Sequence, residues 1–84
     1  MNRLTVKQGD RYVLSQENLE AVLARLGTFE DAFEALQTGQ AQIPKELERM
    51  RLEGKEKTVR YKETMGQKLL YQQMTLFFEQ HGVL

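Results

Sequence analysis

The stretch Leu19-Glu20-Ala21-Val22-Leu23-Ala24-Arg25-Leu26-Gly27-Thr28-Phe29-Glu30-Asp31-Ala32-Phe33-Glu34-Ala35-Leu36 decides the fold. Its seam residues, Leu19, Val22, Leu26, Phe29, Phe33 and Leu36, recur at alternating spacings of three and four, and only a helix brings such positions to one side. In water a seam of this kind is stable only under a second apolar surface, so the pattern predicts a helix that needs a partner helix. Ser15 offers an N-cap, and Glu17 and Glu20 put negative charge where the helix dipole favours it. The seam keeps its phase across Gly27, and an interior Gly costs only about 1 kcal/mol relative to Ala. The first helix is therefore expected over about residues 15–38, with Gly39 ending it.

Upstream, residues 4–14 read as a β-hairpin, with Leu4, Thr5, Val6 and Tyr12, Val13, Leu14 flanking Gln8-Gly9-Asp10. A three-residue loop pairing Lys7 with Arg11 collects Leu4, Val6, Tyr12 and Leu14 on one face. A two-residue Gly9-Asp10 turn pairs Val6 with Val13 and scatters that face, so the longer loop is expected. Downstream, Ile43-Pro44 reads as the opening of a second helix over about 44–53, with Ile43 stapled onto Leu47. A break is expected near Gly54 and Lys55. Thr58 then caps a last helix over about 58–80 that stops at Gly82. The second half of that helix holds Leu69, Leu70, Tyr71, Met74, Leu76, Phe77 and Phe78, apolar over most of its circumference, and so has to be enclosed.

At 84 residues and 9.8 kDa the chain makes one domain, and a monomer of this size buries roughly 60 to 65% of its unfolded surface. Small domains commonly add disulfides, metals or a second subunit. With no Cys and a single His, self-association is the supplement left. The expected architecture is mainly α, an N-terminal β-hairpin followed by about three helices in a helical-bundle or coiled-coil-like oligomer. Its interface is expected at Leu19, Val22, Leu26, Phe29, Phe33, Leu36, Leu70, Met74, Phe77 and Phe78. No apolar run reaches about 18 residues and the N-terminus lacks the apolar core of a signal peptide, which reads as intracellular, with no membrane partner.

Twelve basic and twelve acidic residues cancel, against the broad positive field that drives non-specific polyanion binding. Up to Ile43 there are four basic and six acidic residues, and from Pro44 onward eight and six. The one locally basic stretch, residues 55–68, offers Lys55, Lys57, Arg60, Lys62 and Lys68 with Tyr61 among them. It is the basis of an alternative reading, phosphate contacts with Tyr61 stacked on a base. Such a stretch is more often a solvated helix face. His81 has no Cys, second His or Glu-x-x-His partner and reads as a helix-end residue. Glu30, Asp31 and Glu34 read as a solvated acidic face, not a cation site. No catalytic, metal-ligand or cofactor constellation emerges, and enzyme action ranks a distant third because acid–base or nucleophilic chemistry needs paired groups.

Arg3-Leu4-Thr5, the short hairpin and then Leu23-Ala24-Arg25-Leu26-Gly27-Thr28-Phe29-Glu30-Asp31 resemble the start of small uncharacterised proteins encoded in phages and prophages of Gram-positive bacteria. Lys57-Thr58-Val59-Arg60-Tyr61-Lys62-Glu63 has the same flavour. The resemblance covers about the first third of the chain. It implies a phage or mobile-element origin and a bacterial cytoplasm, and it carries over no site residue. The expected function is a non-enzymatic oligomeric interaction or accessory protein with a protein partner, the alternative being a nucleic-acid-binding regulator.

Overall fold

The computed structural model of the chain describes residues 1–83. It is mainly helical, with strands β1 (Val6–Gln8) and β2 (Arg11–Val13), a single 3-10 turn over Gln16–Asn18, and helices α1 (Leu19–Leu52) and α2 (Val59–Gln80). The chain divides into two compact units, Met1–Phe33 and Glu34–Leu84.

In the first unit β1 and β2 pair antiparallel as Val6↔Val13, Lys7↔Tyr12 and Gln8↔Arg11. This is the two-residue Gly9-Asp10 turn, not the three-residue loop, and it corrects the expected Lys7–Arg11 pairing. Gly9 takes φ +61 while Asp10 stays at negative φ, the pattern of a type II′ turn, whose twist matches the strands it joins. The hairpin's apolar alternation exerts no counter-pull, because both strands lie in water. Val6 is 59% and Tyr12 62% exposed. The packing expected of the hairpin is done instead by the arm before it, where Leu4 and Thr5 are half-buried. The Arg3 guanidinium lies 5.7 Å from the Tyr12 ring centre, an attraction between cation and ring face, and its Nε donates to the Thr5 hydroxyl at 3.3 Å. Ser15 caps the 3-10 turn by accepting from the Glu17 amide, and the chain then enters α1, which runs through Gly27.

Two helices replace the three expected. Gly39 does not end α1, and Pro44 lies inside it, although an interior proline removes a backbone hydrogen bond and disturbs the preceding turn. Side-chain burial overrides these local signals. The three-four spacing of the seam continues through Gln40, Ile43, Leu47 and Met50, and a break at Gly39 would take this row out of phase. Leu36, Ile43, Leu47 and Met50 are all buried, Leu47 completely, and they form the core of the second unit. Ile43 is thus a core residue here and not the staple of a new helix. Leu36, expected at an oligomer interface, is likewise only 6% exposed within its own chain.

At the far end of α1 the stop is sharp. Gly54 takes φ +72, the Lys55 amide donates to the Met50 carbonyl at 2.9 Å and the Gly54 amide to that of Arg51 at 3.0 Å, the paired bonds of a Schellman cap. After the connector, Thr58 caps α2 by accepting from the Tyr61 amide at 3.2 Å. The two helices of this unit approach closely at Gly39, where an added Cβ would stand 2.5 Å from Cε2 of Tyr71. Beside it the Gln40 amide donates to the Tyr71 carbonyl at 3.4 Å. The Thr75 hydroxyl lies 2.9 Å from Gln40 Oε1 and 3.0 Å from that same carbonyl.

Two stability measurements check this placement. Leu47→Ala is expected to lose roughly 2 to 5 kcal/mol in chemical denaturation, whereas Leu26→Ala, at a position 51% exposed, loses about 1 kcal/mol or less. Equal losses would contradict a core centred on Leu47. Gly27→Ala, where a Cβ meets nothing within 4 Å, is expected to stabilise by up to about 1 kcal/mol through helix propensity. Gly39→Ala forfeits that gain because the Tyr71 ring has to move, so equal gains at the two sites would show the close approach to be absent.

Candidate functional site

The second helix is turned with its more polar side inward. Tyr61, Thr64, Lys68, Tyr71, Thr75 and Phe78 form one row at spacings of three and four, and each is buried or half-buried. This row faces α1, as the Tyr71 and Thr75 contacts with Gly39 and Gln40 show. Thr64, the only buried polar residue among those described, satisfies its hydroxyl by donating to the Arg60 carbonyl one turn back, at 2.8 Å. The opposite side of the same helix carries Leu69 and Leu70 at 56% exposure, Met74 at 40%, Leu76 at 51% and Phe77 at 56%. Phe77 stacks at 4.3 Å on His81, whose Nδ1 lies 2.9 Å from the Phe77 carbonyl. His81 is thus a helix-end residue lying on an aromatic ring.

Of the residues expected at an oligomer interface, Leu70, Met74 and Phe77 lie on this outward face, while Phe78 is half-buried on the inward one. In the first unit Leu19 and Leu26 are about half exposed and Phe29 36% exposed, while Val22 and Phe33 are half-buried. Phe29 and Phe33 stack with ring centres 6.3 Å apart. The N-terminal arm runs beside part of this seam. Arg25 donates to the Asn2 carbonyl, and Leu4, Val22, Leu26 and Phe29 border an apolar groove of about 500 Å³.

The basic stretch 55–68 is largely committed within the chain. Lys55 pairs with Glu53 at 2.9 Å and Arg60 with Glu46 at 3.3 Å, while the Arg51 guanidinium donates to the Tyr61 hydroxyl at 2.9 Å. Hydrogen bonding and the charge of Lys55, with help from Arg49, hold the Glu53 carboxyl below its ordinary range. The hydrogen bond to the Tyr61 oxygen, with a lesser contribution from the charge of Glu48, holds Arg51 more firmly protonated. Lys68 lies half-buried on the inward row of α2. Lys57 and Lys62 stay exposed without an ion-pair partner among the described residues. The six residues therefore do not form one free cationic face, and Tyr61 is engaged with an arginine. Beside Arg60 a groove of about 600 Å³ is bordered by Glu46, Glu63, Gln67, Leu70 and Tyr71, with carboxylates as well as the guanidinium on its walls.

A reading of the residues alone passes over Gln40 and Thr75. The signal that finds them is the continued three-four spacing, which puts Gln40 where the seam next requires a large apolar side chain. No helix is long and apolar enough to cross a membrane among the described residues. Compared with known protein families, curated proteins and solved structures, the chain matches none.

These contacts predict weak interaction with nucleic acid. At about 0.15 M salt, where surface charges are screened beyond about 8 Å, no submicromolar binding to DNA or RNA is expected in a titration. Submicromolar binding with a salt slope near 0.7 to 0.9 per phosphate neutralised, flattened by the Arg60→Ala, Lys62→Ala double variant, would instead mark this stretch as a nucleic-acid interface.

Proposed function

We propose that the chain is a non-enzymatic interaction or accessory protein that works as a homo-oligomer and offers its apolar surfaces to a protein partner. The observation that carries this reading is unburied surface. Large apolar side chains that a helix normally turns inward stand about half exposed in each unit, Leu19 and Leu26 in the first and Leu69, Leu70 and Phe77 in the second. An exposed apolar patch such as the one on α2 marks a contact site for other macromolecules.

The alternative, a nucleic-acid-binding regulator using residues 55–68, draws less support because Lys55, Arg60 and Tyr61 already have partners in the chain. The resemblance to small phage and prophage proteins favours a mobile-element origin and a bacterial cytoplasm.

Sedimentation equilibrium at micromolar concentration tests the reading. A mass of at least twice 9.8 kDa is the expected result. A monomer whose mass does not change with concentration would overturn it.

A further inference from the structure

We infer that the outward face of α2 is the self-association surface, and that two copies meet there antiparallel, related by a two-fold axis at Gln73. This rests on the oligomeric reading above and goes further by naming the face, the partner and the orientation. The first ground is that α2 is inverted relative to ordinary amphipathic helices. Its inward row is Tyr, Thr, Lys, Tyr, Thr and Phe, while Leu69, Leu70, Met74, Leu76 and Phe77 stand 40 to 56% exposed on the other side. A single chain gains nothing from that orientation, because burying apolar surface is the dominant favourable term in association. A second copy recovers it.

The second ground is electrostatic. No charged residue occurs from Leu69 to Phe78 in a chain that is 29% charged. A partner recognised through charge has nothing to grip between Leu69 and Phe78, whereas a second copy of the same stretch meets it without like-charge repulsion.

The third ground is the pattern itself. At 100° per residue on a helix, Gln73 lies at the middle of the outward arc. Leu70 and Leu76 lie three residues to either side of it, and Leu69 and Phe77 four to either side. In an antiparallel pair centred on Gln73, Leu70 of one copy opposes Leu76 of the other and Leu69 opposes Phe77. This is the self-complementary arrangement that a two-fold interface requires. Gln73 then opposes its own copy. Its amide can donate to and accept from its counterpart reciprocally, so the one polar group at the centre is satisfied and fixes the register. Gly66, where an added Cβ would meet nothing within 4 Å of its own chain, lies on the same arc and lets the partner helix approach near Gln80.

The absence of Cys from the chain makes single-cysteine cross-linking a direct test. Under mild oxidation Gln73→Cys should convert most of the protein to a disulfide-linked dimer, because residues at the axis meet their own copies. Leu70→Cys should not, since its counterpart lies about 9 Å away along the axis at 1.5 Å per residue, beyond disulfide reach. Mixing Leu70→Cys with Leu76→Cys should restore the link. A Leu70→Glu, Leu76→Glu double variant should sediment at 9.8 kDa with its helical circular dichroism retained, since both positions are solvent-facing in the single chain. Linking by Leu70→Cys as efficient as by Gln73→Cys would mean a parallel pair and overturn the orientation. Linking by Leu26→Cys but not by Gln73→Cys would move the interface to the seam of α1, overturning this inference while leaving the oligomeric reading intact. A wild-type monomer in sedimentation equilibrium would remove both.

Discussion

The second unit depends on the burial of one row of side chains, Leu36, Ile43, Leu47 and Met50, against a second helix that is itself poor in apolar residues on the side it presents. Among the described residues the buried apolar side chains of that helix pair all lie on α1, and fully burying a side chain such as Leu47 contributes roughly 1.5 to 3 kcal/mol. The inward row of α2 contributes mainly shape and hydrogen bonds. The Tyr71 ring fills the space left by Gly39, and Thr75 and Gln40 satisfy one another. Net hydrogen-bond contributions are modest, about 1 kcal/mol each, but an unpaired buried amide costs more than that. The polar pair thus penalises every other register of the two helices more than it stabilises this one.

That constraint explains why α1 passes through two residues that usually end helices. Pro44 and Gly39 are both unfavourable inside a helix. A helix ending at Gly39 would carry Ile43, Leu47 and Met50 out of line with Leu36 and break the buried apolar row of the unit. The loss of three buried side chains outweighs the local penalties. Where no such row depends on the chain, local chemistry prevails. At Gly54 the cap bonds and the left-handed glycine stop the helix, and at Gly9 the two-residue turn sets the strand register without opposition from burial.

The same contrast separates what was legible in the residues from what was not. The first seam and its continuity through Gly27 are legible in an unbroken three-four spacing from Leu19 to Leu36, and the caps at Ser15 and Thr58 and the stop at Gly54 are short-range signals, each contained in a few neighbouring residues. The continuation of the seam was hidden because Gln40 occupies the position where the eye expects a leucine, and Gly39 and Pro44 imitate punctuation on either side of it. The hairpin register departs from the apolar alternation for the opposite reason. Apolar alternation on Val6, Tyr12 and Leu14 predicts a buried face, yet Val6 and Tyr12 lie more than half in water and Leu14 is 40% exposed. At the candidate site, the apolar character of α2 was plain, but its facing was not. Which side of a nearly all-round apolar helix turns inward depends on the residues of the partner helix, here a glycine and a glutamine.

The facing of α2 in turn shapes what the protein can do. A helix that pairs through Thr, Tyr and Gln inside its own chain keeps its leucines available, and the intrachain pairing remains specific because polar groups tolerate misalignment poorly. Exchanging the roles of the two faces would produce a better buried monomer, with Leu70, Met74 and Phe77 against Ile43 and Leu47. It would then leave a polar outer surface with little reason to bind another chain. The arrangement present gives up monomer stability for surface. This is the expected outcome when a small domain without disulfides completes its core by association, and it is why the same outward face carries both the proposed function and the proposed dimer.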